Sequence, residues 1–95
     1  MAKSPVAKRL KEAHLAAGLS QKSLGIATAK MNQYETGKHT PDYSTLINIS
    51  KLLKIPVAYF YADTDELASL IQMFNLMPKD QKISILNSIQ KKKFE

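Results

Sequence analysis

Cysteine and tryptophan are absent from this 95-residue chain, and glycine occurs only three times. Without cysteine there is neither a disulfide framework nor a zinc site built on thiolates. The only histidines, His14 and His39, form no metal pair and no nucleophile–base arrangement. The acids show neither a catalytic pair nor a phosphate loop rich in glycine, so enzymatic chemistry is not expected, and no cofactor or metal is called for. Apolar runs are only a few residues long, and the start, Met1 to Pro5, leads into a charged stretch. Neither a membrane span nor a signal peptide is expected, which points to a soluble, cytoplasmic protein. No alternation of polarity is long enough for a convincing strand, and no internal repeat is present. What remains, at 44% hydrophobic and 23% charged residues, is an ordinary globular composition of one small domain.

Charge is unevenly spread. Residues 1–54 carry nine basic groups against three acids, Glu12, Glu35 and Asp42, whereas residues 55–95 carry five of each sign. The whole excess of +6 therefore lies in the first part of the chain. A polyanion-facing module joined to a neutral one has this pattern, and so does a merely solubilising basic surface.

The local signals are helical throughout. Ser4 and Pro5 are a good helix start, followed by Val6, Leu10, Ala13 and Ala17 at helical spacing and by Gly18 as the stop. Ser20 opens a short second helix that Gly25 curtails. A third runs from about Ala29 to Thr36, with Met31 and Tyr34 on one face and Gly37 at its end. Asp42 caps a fourth, which places Leu46, Ile49 and Leu53 on the core with Ile47 and Leu52 beside them. Pro56 begins a short turn of helix from Val57 to Tyr61. Asp63 or Thr64 caps a sixth helix carrying Leu67, Leu70, Ile71 and Phe74, Pro78 breaks it, and a seventh carries Ile83, Leu86 and Ile89 before the lysines at 91–93. The fold class is all-α.

Three motifs stand in order on these helices: Leu-Ser-Gln at 19–21, Tyr-Glu-x-Gly-Lys at 34–38 with Pro41, and Leu-Leu-Lys-Ile-Pro at 52–56. Together they resemble the helix-turn-helix family of phage repressors and Cro, the XRE family, over residues 6–62. The resemblance implies a five-helix, lambda-repressor-like DNA-binding domain in residues 1–62, with a recognition helix at about 29–36 entering the major groove. Gln21 and Lys22 at a helix start suit phosphate oxygens, although Gln21 also reads as a solvated first-turn residue. On the recognition helix, Thr28, Ala29, Asn32 and Gln33 are placed for base edges, with an ordinary surface role the alternative for Asn32 and Gln33, and Lys30 can reach either a guanine or a phosphate. Asn and Gln can bond adenine in a bidentate way, while Thr and Ala methyls can touch thymine. Thr36, Lys38, His39 and Thr40 fall on the segment where the family contacts the backbone. Family members tend to pair the acid at Glu35 with a basic group of the first helix, so Arg9 is its expected partner.

The sequence departs from the family at one place. Gln21 and Glu35 are 14 positions apart, about four fewer than is usual, so residues 25–28 must complete both a helix and a turn. Three readings stand: a second helix shorter by a turn, a distorted pair that binds DNA poorly, or a natural chain that is longer here.

Residues 63–95 read as a helical hairpin with a basic tail. Its apolar rows, Leu67, Leu70, Ile71, Phe74, Ile83, Leu86 and Ile89, serve either as a lid on the core or as a dimer interface. The reading that unites these features is a sequence-specific transcriptional regulator of bacterial or prophage origin, most simply a repressor. It binds double-stranded DNA at an inverted-repeat operator as a homodimer and is associated with the nucleoid when bound. The alternative is an antitoxin or anti-regulator whose C-terminal helices grip a partner protein.

Overall fold

The computed structural model describes residues 4–18 and 28–94. Among the described residues the chain is all-helical: α1 (Val6–Ala16), α2 (Thr28–Thr36), α3 (Tyr43–Leu53), α4 (Val57–Phe60), α5 (Asp65–Leu76) and α6 (Lys79–Phe94). The expected short helix opened by Ser20 lies outside the described residues, so α2 is the expected third helix.

Local chemistry explains each boundary. Ser4 Oγ accepts from the Val6 N–H at 3.3 Å, leaving Pro5 where its missing N–H costs nothing. Gly18 and Gly37 adopt φ of +69° and +81°, the left-handed turn that closes α1 and α2. The Asp42 carboxylate accepts from the Thr45 N–H at 2.8 Å at the start of α3, and Thr64 Oγ1 accepts from the Leu67 N–H at 3.1 Å at the start of α5. The end of α3 was not foreseen. Lys54 itself takes the left-handed conformation, with φ of 57°, and the Ile55 N–H returns to the Ser50 carbonyl at 3.0 Å.

The core sits where α1, α2, α3 and α4 converge. Leu10, Met31, Leu46 and Phe60 are completely buried, with Val6, Ile49 and Tyr59 around them. Tyr59 and Phe60 meet edge to face, ring centroids 5.4 Å apart. Leu52 departs from its expected place beside the core and is exposed. It stands roughly a third of a turn from the stripe of Leu46, Ile49 and Leu53, so that stripe turns it to solvent.

The C-terminal hairpin behaves differently from the rest. α5 packs on α4 and buries Ala68, with Ile71 half-buried against the core. α6 has no comparably packed partner helix among the described residues. The radius of gyration, 15.4 Å, accordingly exceeds the roughly 12 Å of a compact chain of this length.

Candidate nucleic-acid interface

Helix α2 has two faces of opposite character. Met31 and Tyr34 point inward and are buried, while Ala29, Lys30, Asn32 and Thr36 are exposed and Gln33 is half-exposed. Residues at 29, 32, 33 and 36 lie one turn apart on one side of a helix, so they form a continuous outward row. Docking α2 against α1 fixes that row relative to the body.

The loop after α2 continues the same surface. Lys38, His39 and Thr40 are exposed. The Gln33 carbonyl accepts from both the Thr36 hydroxyl and the His39 N–H at 3.2 Å, which folds the loop back against the end of the helix. A shallow cleft of about 220 Å³, lined by Ser4, Ala7, Thr36, Gly37, His39 and Thr40, lies between this loop and the start of α1. Of the sequence-derived candidates, the structure thus brings Ala29, Lys30, Asn32, Gln33, Thr36, Lys38, His39 and Thr40 onto α2 and its following loop. Gln21 and Lys22 lie outside the described residues. Thr28 begins α2, and its side chain lies outside the description as well.

The electrostatics favour an anionic partner. Between residues 28 and 54 the cations Lys30, Lys38, Lys51 and Lys54 are exposed, and the only acids are Glu35 and Asp42. Glu35 turns its carboxylate inward, where Oε2 meets His14 Nδ1, and both side chains are buried. Asp42 is held below its ordinary pKa, first by the hydrogen bonds from Thr45, with a smaller contribution from the charge of Lys30. The Glu35 side chain is thus buried, while Asp42 stays exposed and ionised at the start of α3, so four exposed lysines stand against one exposed acid between residues 28 and 54.

The expected Arg9–Glu35 pair is not what forms. Arg9 is buried and directs its donors to Glu12 and to the segment from Ala62 to the start of α5. Its Nη1 donates to Asp65 Oδ1 at 2.8 Å and to Glu12 Oε2 at 3.3 Å. Its Nε and Nη2 both donate to the Ala62 carbonyl at 3.3 Å. The guanidinium lies 6.0 Å from the centre of the Tyr59 ring. Lys8 Nζ adds a second contact to Asp65 at 3.0 Å. His14, five positions further along α1 and turned to another side of it, meets Glu35 instead. Sequence reasoning missed Asp65 because it stands 56 positions from Arg9, and no local periodicity links the two.

On the hairpin, Leu67, Leu70, Ile83, Leu86 and Ile89 are exposed, while Ile71 and Phe74 are half-buried. An apolar groove of about 490 Å³ runs between α5 and α6, lined by Leu70, Ile71, Phe74, Ile85, Leu86 and Ile89. No described helix is long and apolar enough to cross a membrane, and no cluster of His, Asp and Glu among the described residues could hold a metal ion.

No protein-family model matches the chain. Two curated relatives, both uncharacterized HTH-type transcriptional regulators, come from Sinorhizobium medicae (strain WSM419) and Rhizobium meliloti (strain 1021). Each is 40% identical over 50 aligned positions, covering 48% of this chain and 36% of the relative. The chain thus spans about a third of the length of these relatives. Among solved structures, the transcriptional regulator BswR superposes with a TM-score of 0.83 at 35% identity, over 90% of this chain and 92% of that one. Coverage that wide takes the likeness beyond the first helices and into the C-terminal hairpin. At that identity and coverage the chain belongs with the transcriptional regulator BswR, and about half of it is homologous to part of two HTH-type transcriptional regulators.

Proposed function

We propose that this chain binds double-stranded DNA in a sequence-specific way as a homodimer, and that it acts as a repressor of the phage-repressor and Cro type. The observation that carries this reading is the two-faced α2. Its buried side anchors Met31 and Tyr34, and its outward row offers Asn32 and Gln33, side chains suited to adenine, beside Ala29 and Lys30. Lys38, His39 and Thr40 flank that row and supply contacts to phosphates, and Gln21 and Lys22, outside the described residues, are given the same role from the sequence alone. Residues 1–62 form the DNA-binding body and residues 63–95 the dimerisation element.

Dimerisation is supported by the exposed apolar rows of α5 and α6, which amount to an interface left open by the chain itself. A second copy covers Leu67, Leu70, Ile83, Leu86 and Ile89 and seats in the groove between the helices. Two readers related by a two-fold axis then address half-sites about one helical turn apart. Occupying a promoter in this way needs no effector domain and no cofactor, which is why repression is the simplest regulatory outcome.

Selection of bound duplexes from a random DNA pool at near-physiological salt tests the reading. An enriched inverted repeat supports it. A folded protein that enriches nothing overturns it, and a monomer that co-purifies with another protein moves the hairpin to the antitoxin or anti-regulator role.

A further inference from the structure

Helix α1 is the strut that joins the two halves of the molecule. One flank receives α2, through the core around Met31 and Tyr34 and through the His14–Glu35 contact. The other flank holds the first turn of α5 through Arg9, Lys8 and Asp65. Only Ala68 and Ile71 of α5 pack into the body, and apolar contact of that size resists separation without fixing direction.

The polar contact is directional. The Arg9 guanidinium, its side chain only 3% exposed, is a planar fork with four acceptor contacts. One pair of nitrogens grips the Ala62 carbonyl just before α5, and the third reaches Asp65 inside its first turn. Two points three residues apart, one before α5 and one at its first residue, are thereby held from one rigid plane, which sets an angle as well as a distance. Lys8 holds the same carboxylate oxygen from the solvent side.

We propose that Arg9, Lys8 and Asp65 are positioning residues that set the angle between the DNA reader and the dimerisation hairpin, and hence the half-site spacing the dimer accepts. This rests on the dimeric DNA-binding reading above. In such a dimer each hairpin is a lever. A small rotation of α5 about the connection at 61–64 displaces the recognition helix far from the two-fold axis.

The test uses the full chain and inverted repeats of the selected half-site, their separation varied one base pair at a time around about one helical turn. Wild type, Asp65→Asn and Glu66→Gln are compared, with a duplex carrying a single half-site as reference. Glu66 lies in the same first turn and makes no hydrogen bond or ion pair with Arg9, so its variant makes the same charge change without touching the clamp. Wild type is expected to prefer one separation over its neighbours by about tenfold, and Asp65→Asn to flatten that preference to within about threefold. Glu66→Gln keeps the wild-type profile. All three remain dimeric and bind the single half-site alike. Lys8→Ala, which removes one of the two cations from an exposed position, gives an intermediate profile if Asp65→Asn fails to fold.

A dimeric Asp65→Asn protein with the wild-type spacing profile overturns the clamp and leaves the DNA reading intact. Equal flattening by Glu66→Gln overturns it too, because the effect would then be one of helix charge. A wild-type protein with no preferred spacing overturns the dimeric reading and the clamp with it.

Discussion

Replacing Met31 by alanine separates the two faces of α2 by their energies. Met31 is completely buried between α2 and the core around Leu10, Leu46 and Phe60. Truncation removes its thioether and leaves a cavity that the neighbours fill only in part, which for such side chains costs about 2–5 kcal/mol. About 3 kcal/mol, near the middle of that range, is the reasonable figure for a side chain with no exposure. Unfolding entropy near the midpoint is about 0.2 kcal/mol/K for 95 residues, so the melting temperature should fall by about 15 °C. Asn32, the next residue, is exposed, and Asn32→Ala should move stability by no more than about 0.5 kcal/mol. Thermal unfolding followed by far-ultraviolet circular dichroism reads both. A Met31→Ala protein melting within about 5 °C of wild type, or an Asn32→Ala protein losing as much as Met31→Ala, would refute the assignment of the faces.

Lys38→Ala should weaken binding to every DNA sequence alike and make the salt dependence of affinity shallower by about one unit; an unchanged slope removes Lys38 from the phosphate contacts. Leu70→Asp puts a charge into the exposed apolar row of the hairpin, so it should turn the proposed dimer into a folded monomer in sedimentation, with a melting temperature lowered only by what association contributed. A stable Leu70→Asp dimer would move the interface elsewhere. Asp65 is held below its ordinary pKa first by its hydrogen bond from Arg9, then by Lys8, and Asp42 first by its hydrogen bonds from Thr45. Both carboxylates favour the folded state above the unfolded value of about 3.9, and that stabilisation is lost as pH falls through their lower folded values. Denaturation measured across the acid range should therefore show a loss that begins below about pH 5 in wild type and is reduced in the Asp42→Ala, Asp65→Asn double variant. Identical acid limbs would contradict the two contacts.

Where information is local, the sequence carries it. Ser4, Asp42 and Thr64 accept from backbone N–H groups two or three residues on, so their roles depend only on neighbours. Gly18 and Gly37 end helices for equally local reasons. The inward turn of Met31 and Tyr34 follows from helical spacing, and with it the outward row that includes Asn32 and Gln33. Pairing across the chain was not legible. Glu35 and Asp65 both offer a carboxylate to α1, and only the packing of α2 and α5 around it decides which reaches Arg9 and which reaches His14. Lys54 in a left-handed conformation was missed because glycine is the usual signal there. The hairpin rows read correctly as apolar, yet their periodicity is the same for a lid as for an interface. Their exposure in the folded chain favours the second.

The most direct test of base reading by α2 is the affinity of an Asn32→Ala, Gln33→Ala protein for the selected operator and for random DNA, measured side by side. Reading by this row predicts a loss of about 1–3 kcal/mol per bidentate contact on the operator and almost none on random DNA. Equal losses on both would contradict it, leaving α2 as a basic surface without a sequence to read.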